Sequence, residues 1–326
     1  MRRREFIGLV GSAAVSPFAS WAAGPDHVLH RLGFLGAPSA SKYAPLIEAL
    51  RAGLSDFGYV EDNNITLDFH WADGDNSRLP GLAKELVRDR VEVLITHGTP
   101  GTLAAKKATA TVPIVMAVCG DAVAVGAVGS LAKRGGNITG NTFFGPELAA
   151  KRVELLKECA RHLARAAVLV NPHNPISAPV LKAMVEVGAR LDVQLEQIAV
   201  DRANKLPEAF SSMTAKKVEG VVIYEDAITV ANAKLIAELA AKYRLPLASF
   251  PVAAKAGALI GYGPDIPRLF RHAAYFVDAV IKGAKPASLP VEEPTAFPLV
   301  INMKTAKTIG LSMPATLLAR ADEVIE

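Results

Sequence analysis

Three hydroxyl side chains stand where helical stretches begin. Ser39 and Ser41 follow the apolar run Leu32–Gly36, and Thr99 follows Val93–Thr96. Such a hydroxyl either caps its helix, worth ~0.5–2 kcal/mol, or joins the free N–H groups of the first turn in holding a carboxylate. Gly120-Asp121 ends another apolar run, with no basic residue close by in sequence. Asp121 either caps its loop or accepts hydrogen bonds from a cationic group such as an ammonium. In the second half, Glu225 and Asp226 follow Val221–Tyr224, and Asn174 lies in a loop after Ala167–Val170. Asp226 reads as a helix cap or as a second-half counterpart of Asp121. Asn174 reads as a turn residue or as a contact. His97 is a loop residue that bonds backbone, or an acid/base group. Tyr43, Phe143, Phe144 and Phe250 offer apolar walls for a ring or an aliphatic chain. Phe143 and Phe144 are adjacent in an extended stretch, so only one of them faces a given side.

These residue types suit hydrogen-bonded recognition of a small polar solute better than bond-making chemistry. A two-lobed racemase would need one thiol on each side of its substrate. The chain has two cysteines, Cys119 and Cys159. Cys119 follows a strand, but Cys159 falls inside the helical stretch 147–161, so two separate buried thiols are expected. The sequence carries no P-loop, no strong metal motif and no G-x-S-x-G elbow. No catalytic residue, metal or cofactor is expected.

The elements that must position these side chains come in the same order twice. In the first half, 32–36 (strand), 43–57 (helix), 65–70 (strand), 79–89 (helix), 93–96 (strand), 99–109 (helix) and 113–117 (strand) alternate. In the second, 167–170, 179–191, 193–200, 206–215, 221–224, 229–242 and 246–249 repeat that alternation. Short, continuously apolar strands between longer amphipathic stretches indicate parallel sheets covered on both faces. The fold class is therefore α/β, with two βαβαβ lobes. Gly135–Pro146 and Gly261–Pro264 read as crossings between the lobes, and 267–282 as a helix returning to the first. The segment 286–298 reads as extended, and 299–303 as a strand added to the second lobe. Loops at the carboxyl ends of parallel strands face the binding crevice. That rule selects 38–43, 97–101, 119–121 and 141–144 in the first lobe, and 171–174, 225–227 and 249–250 in the second.

Bulk properties agree. A chain of 326 residues is long enough for two domains. The formal charge is +4, of which the first 22 residues carry three Arg and one Glu, leaving +2 for the rest. The remaining Lys and Arg are scattered among acids along helices, which argues for solvated faces and against a nucleic-acid partner. The start, Arg3-Arg4-Glu5-Phe6-Ile7, followed by the apolar 9–15 and Ser20-Trp21-Ala22, fits a twin-arginine signal peptide over 1–22. No later stretch reaches the ~20 apolar residues of a membrane span. A periplasmic protein is expected.

The chain resembles the bacterial family of ABC-transporter substrate-binding proteins linked to tryptophan or tyrosine uptake. The likeness runs through Arg78-Leu79-Pro80, Thr96-His97-Gly98-Thr99-Pro100, Gly120-Asp121, Arg134–Gly140 and Asn171-Pro172-His173-Asn174-Pro175. It continues through Gly261-Tyr262-Gly263-Pro264, Gly283–Pro286 and Leu318–Glu323. The resemblance implies the two-lobed type I periplasmic-binding-protein fold, each lobe a parallel sheet flanked by helices, with a hinged interlobe cleft. The expected division is 28–140 plus 264–285 for lobe 1, and 141–263 plus 286–326 for lobe 2. It also implies capture of a small solute, an amino acid or related organic acid, for a cognate permease and its ATPase. A periplasmic sensor feeding a membrane receptor is the alternative use of the same lobes. Two segments depart from the family pattern: Ala122 stands where many relatives carry proline, and Phe250–Lys255 replaces what is often an aromatic followed by an Arg-Glu-Phe-type sequence. The expected ligand contacts are Ser39, Ser41, Tyr43, His97, Thr99, Gly120, Asp121, Asn174, Asp226 and Phe250.

Overall fold

The structure, a computed structural model, describes residues 29–131 and 136–326. The expected signal peptide lies outside them. The described residues begin with β1 (His30–Gly36), α1 (Ala40–Asp56), β2 (Ile65–Trp71), α2 (Leu79–Arg88), β3 (Val93–His97), α3 (Gly98–Ala108), β4 (Ile114–Gly120) and β5 (Ile138–Phe143). It continues with α4 (Gly145–Cys159), β6 (Arg165–Val170), α5 (Ser177–Arg190), β7 (Gln194–Ala199), α6 (Leu206–Ala215) and β8 (Gly220–Val222). Then come α7 (Ala227–Ala231), α8 (Ala233–Lys242), β9 (Leu247–Ser249), α9 (Pro251–Lys255) and β10 (Ile260–Tyr262). The last elements are α10 (Ile266–Ile281), β11 (Val291–Glu292), β12 (Leu299–Asn302), α11 (Met303–Ile309), α12 (Ala315–Leu318) and β13 (Glu323–Ile325).

Among the described residues, the strands form two sheets, ordered β11-β5-β4-β3-β1-β2 and β13-β12-β10-β9-β8-β6-β7. The first is parallel throughout. The second is parallel except where β12 runs against β10. Alternation along each strand splits the core into a layer on either face. Leu32, Phe34, Val115 and Ala117 pack under α1 and α10, while Leu35, Leu94, Ile114 and Met116 pack under α2 and α3. In the second sheet, Ala166 and Val168 meet α4 and α5, while Ala167 and Leu169 meet α6 and α8. Prolines in the first turns of α2, α4, α6, α9 and α10 set where those helices start, because proline lacks the N–H that the first turn leaves unused.

Three expectations are corrected. The stretch read as a first crossing contains β5, a fully buried strand paired with β4, so the chain leaves the first sheet after Phe143 and not at 140. Its polar residues are buried because long-range partners satisfy them: Asn141 Nδ2 donates to the Ala117 and Leu269 carbonyls, both at 3.0 Å, and Thr139 Oγ1 to the Pro290 carbonyl at 2.7 Å. Val291–Glu292 pairs with β5, so 286–292 goes with the first sheet and not the second. The connections between sheets are thus 143–145, 262–266 and 292–299. Finally, the helix expected over 229–242 divides at Asn232, where φ is −122° and both the side-chain Nδ2 and the backbone N–H donate to the Ile228 carbonyl, at 2.8 and 3.1 Å.

Candidate functional site

Strand order decides where a ligand sits. In an open parallel sheet the crevice opens where the order reverses, at the carboxyl ends of the two strands that flank the reversal. Those strands are β1 and β3 in the first sheet and β6 and β8 in the second. Their loops carry Ser39, His97 and Thr99 on one side, and Asn174, Glu225 and Asp226 on the other. The two sets meet. His97, Gly98, Thr99, Pro100 and Gly120 share one interlobe cavity with Asn174, Glu225, Asp226 and Ala227. Val118, Phe143, Val230 and Ile266 complete its wall. The space is about 20 Å³, which accommodates about one water. At this point the loops of the two lobes lie against each other.

On the first-lobe side the chain turns from β3 into α3 through Gly98, whose φ of 72° lies in the left-handed region that glycine adopts freely. No side chain caps α3. The Thr99 hydroxyl instead turns back to the Gly120 carbonyl at 3.4 Å and sits 3.8 Å from Cys119 Sγ. The first-turn N–H groups of α3 are thus not occupied by a cap and carry the partial positive charge of the helix end. His97 is buried, and burial holds its pKa down at about 3, so the ring is neutral. Its Nδ1 lies 2.8 Å from the Tyr43 hydroxyl.

On the second-lobe side, Asp226 caps α7: its Oδ1 accepts from the Ile228 N–H at 2.8 Å. Its Oδ2 accepts from Asn171 Nδ2 at 3.0 Å and Asn174 Nδ2 at 2.8 Å. These three donors are all uncharged. Burial raises the Asp226 pKa, and the hydrogen bonds pull it partly back. Glu225, beside it, is held by the buried Arg152 through both carboxylate oxygens.

The expected contacts separate accordingly. His97, Thr99, Gly120, Asn174 and Asp226 share the cavity. Ser39 borders an adjoining space of about 120 Å³ with Lys42, Asn76 and Ile228. Ser41 is exposed, 3.4 Å from Ser39 Oγ, and lines neither space. Tyr43 is fully buried and packs its ring on His97. Phe250 is fully buried in the second-lobe core, where the Arg152 guanidinium stands 5.9 Å from its ring. Asp121 does not line the cavity. Its φ of 34° turns the chain away, and its Oδ1 accepts from the Ala124 N–H at 2.9 Å, which is the loop-capping role. β4 still contributes Val118 and Gly120 to the wall, so it is the turn at Asp121 itself, folded onto its own loop, that keeps this side chain out. Of the adjacent aromatics, Phe143 faces the cavity and Phe144 is exposed.

Sequence reasoning missed Arg152, Val118, Val230 and Ile266. A signal existed for Arg152. It falls among Leu148, Ala149, Val153 and Leu156 on the buried stripe of α4, where a charge requires a buried partner. Both thiols are buried and unpaired. Burial pushes Cys119 up to about 11 and Cys159 to about 12, so neither is a thiolate at neutral pH. Among the described residues there is no group of three or more His, Cys, Asp or Glu side chains placed to hold a metal, and no helix is long and apolar enough to cross a membrane.

The chain is similar to known proteins over most of its length. A curated tyrosine-binding protein of Clostridioides difficile is 25% identical over 259 residues, covering 79% of this chain and 74% of that one. Among solved structures, an ABC domain from Streptococcus pneumonia in complex with L-Trp superposes with a TM-score of 0.81 at 25% identity, covering 91% of this chain and 99% of the other. A conserved domain protein from Vibrio cholerae gives a TM-score of 0.82 at 24% identity, over 90% and 99%, and shares the fold. The family model of ABC transporter substrate binding proteins matches residues 40–325. Two lobes with a polar cleft between their switch points, and a family match across nearly the whole chain, lead to one conclusion: the chain belongs to the ABC transporter substrate binding protein family, as the solute-binding component of such a transporter.

Proposed function

We propose that this protein captures an α-amino acid between its lobes outside the cytoplasm and hands it unchanged to the permease of its transporter. The observation that carries the reading is the pairing of opposite polarities across one cavity. The uncapped N-terminus of α3 suits a carboxylate, and the Asp226 carboxylate, held by neutral donors, suits an ammonium. Val118, Phe143, Val230 and Ile266 offer an apolar side for the amino-acid side chain. The tyrosine-binding relative and the L-Trp complex support the same ligand class. Thr99, His97, Gly120 and Asn174 complete the proposed site. Ser39 borders its mouth. Arg3-Arg4 and the following apolar run support export of the chain by the twin-arginine route.

An amino acid is several times larger than the water that the closed cavity holds, so entry requires the lobes to part about the 143–145, 262–266 and 292–299 connections. A thermal-shift screen of ligand-free protein against the L-amino acids tests the ligand class; saturation at 100 times Kd stabilises the fold by ~2.7 kcal/mol. Calorimetry is expected to give one solute per chain. The solute is expected to be recovered intact. If no L-amino acid stabilises the protein, the reading fails.

A further inference from the structure

The Arg152 side chain is completely buried, and four hydrogen bonds hold it in place. Nε donates to the Tyr262 carbonyl at 2.7 Å. Nη1 donates to the Ile223 carbonyl at 3.0 Å and to Glu225 Oε2 at 2.9 Å, and Nη2 donates to Glu225 Oε1. The Phe250 ring lies alongside. These partners belong to two functional places. Ile223 and Glu225 lead into the loop that carries Asp226 to the cavity, and Glu225 itself lines that cavity. Tyr262 ends β10, directly before the Gly263-Pro264 connection back to the first lobe. The fit is tight. Gly263 has a φ of 145°, and a Cβ there would lie 2.5 Å from Arg152 Nη2 and 2.9 Å from Glu225 Oε1.

We propose that Arg152 is a positioning residue for solute capture: it fixes the Glu225 carboxylate beside Asp226 as a second acceptor for an ammonium-bearing solute, and ties that loop to the hinge connection at Tyr262–Gly263. Each Glu225 oxygen accepts one hydrogen bond from the guanidinium, which leaves acceptor capacity for the solute. The planar fork of arginine supplies the bidentate geometry and the Tyr262 bond together. A lysine ammonium supplies a single point charge. Filling the cavity then restrains the connection about which the lobes turn. The solute part of this inference rests on the amino-acid reading above.

The test is a double-mutant cycle of Arg152→Lys and Glu225→Gln, titrated with L-tryptophan and L-tyrosine by calorimetry, with hydrogen exchange of the ligand-free proteins over residues 220–230 and 260–266. Each single variant is expected to weaken binding by about tenfold or more. The double variant is expected to bind no worse than Glu225→Gln alone, within about threefold, since arginine acts through the glutamate. Arg152→Lys is expected to raise exchange in both segments at once. Wild-type affinity in Arg152→Lys, or a double loss equal to the product of the singles, overturns the positioning role. If Arg152→Lys does not fold, the pair replacement R152M/E225M removes both buried charges together, which buried pairs commonly tolerate. Wild-type affinity in that variant overturns the proposal, and a tenfold loss in a folded protein supports it. If wild-type protein binds neither, the titration uses the L-amino acid that the thermal-shift screen selects, and if the screen selects none the ligand reading falls by itself. The exchange measurement then decides the hinge tie, and unchanged exchange overturns it.

Discussion

The Asn174 side-chain amide donates to Asp226 Oδ2 at 2.8 Å, joining the loops after β6 and β8 at the reversal point of the second sheet. The bond helps hold a buried carboxylate at the cavity without bringing a compensating positive charge. An acceptor of this kind discriminates for a cationic donor, because an unpaired buried charge is costly and a paired one is not.

Asp226→Asn keeps the size of the side chain and removes its charge. If an ammonium donates to Asp226, the substitution costs ~1.5–3 kcal/mol of binding, roughly 10- to 150-fold in Kd. The new amide also faces the Asn171 and Asn174 donors, so the ligand-free melting temperature must be measured alongside. Calorimetry on a folded variant that retains wild-type affinity would exclude Asp226 from the site.

Asp121→Ala separates loop capping from ligand contact. The variant loses the hydrogen bond from the Ala124 N–H, and thermal unfolding is expected to show a loss of ~1 kcal/mol. Affinity for the solute is expected to stay within about twofold, as for changes remote from a site. A drop of tenfold or more in affinity, without a matching loss of fold, would return Asp121 to the cleft.

His97 makes stability depend on acid. Burial holds the folded ring's pKa at about 3, whereas an unfolded histidine titrates near ~6.5. Between these values the unfolded chain binds a proton that the folded chain does not. Stability is therefore lost as pH falls from ~6.5 toward about 3, at up to ~1.4 kcal/mol per pH unit. Asp226, raised by burial, acts in the opposite sense: between its unfolded value and its raised folded value, lowering pH favours the folded state. Urea midpoints of wild type and His97→Asn between pH 7 and pH 4 isolate the histidine. Parallel curves for the two proteins would contradict a neutral buried imidazole.

Arg3 and Arg4 precede the described residues and bear on export alone. Changing both to Lys is expected to trap precursor in the cytoplasm, read by fractionation and immunoblotting. Normal periplasmic yield from that variant would point to general secretion instead.

The alternation of strands and helices was legible in the sequence because each strand is a short apolar run and proline marks the first turns of five helices. His97, Thr99, Asn174 and Asp226 were legible as cleft residues because carboxyl ends of parallel strands can be read from order alone. The strand Ile138–Phe143 was not, since Thr139, Asn141 and Thr142 look like loop residues until Pro290 and Leu269 supply their partners. Arg152 was hidden for the same reason: its charge is balanced 73 residues away by Glu225 and its Nε is satisfied 110 residues away by Tyr262. Asp121 and Asp226 look alike in sequence, each an acid after a buried strand. Only their tertiary partners tell them apart: Asp226 is held at the cavity by Asn171 and Asn174, whereas Asp121 turns onto the Ala124 N–H of its own loop. Local sequence sets which segments become strands, but where each acid finds its donors follows from tertiary packing, and that holds one carboxylate in the cleft and leaves the other to cap a turn.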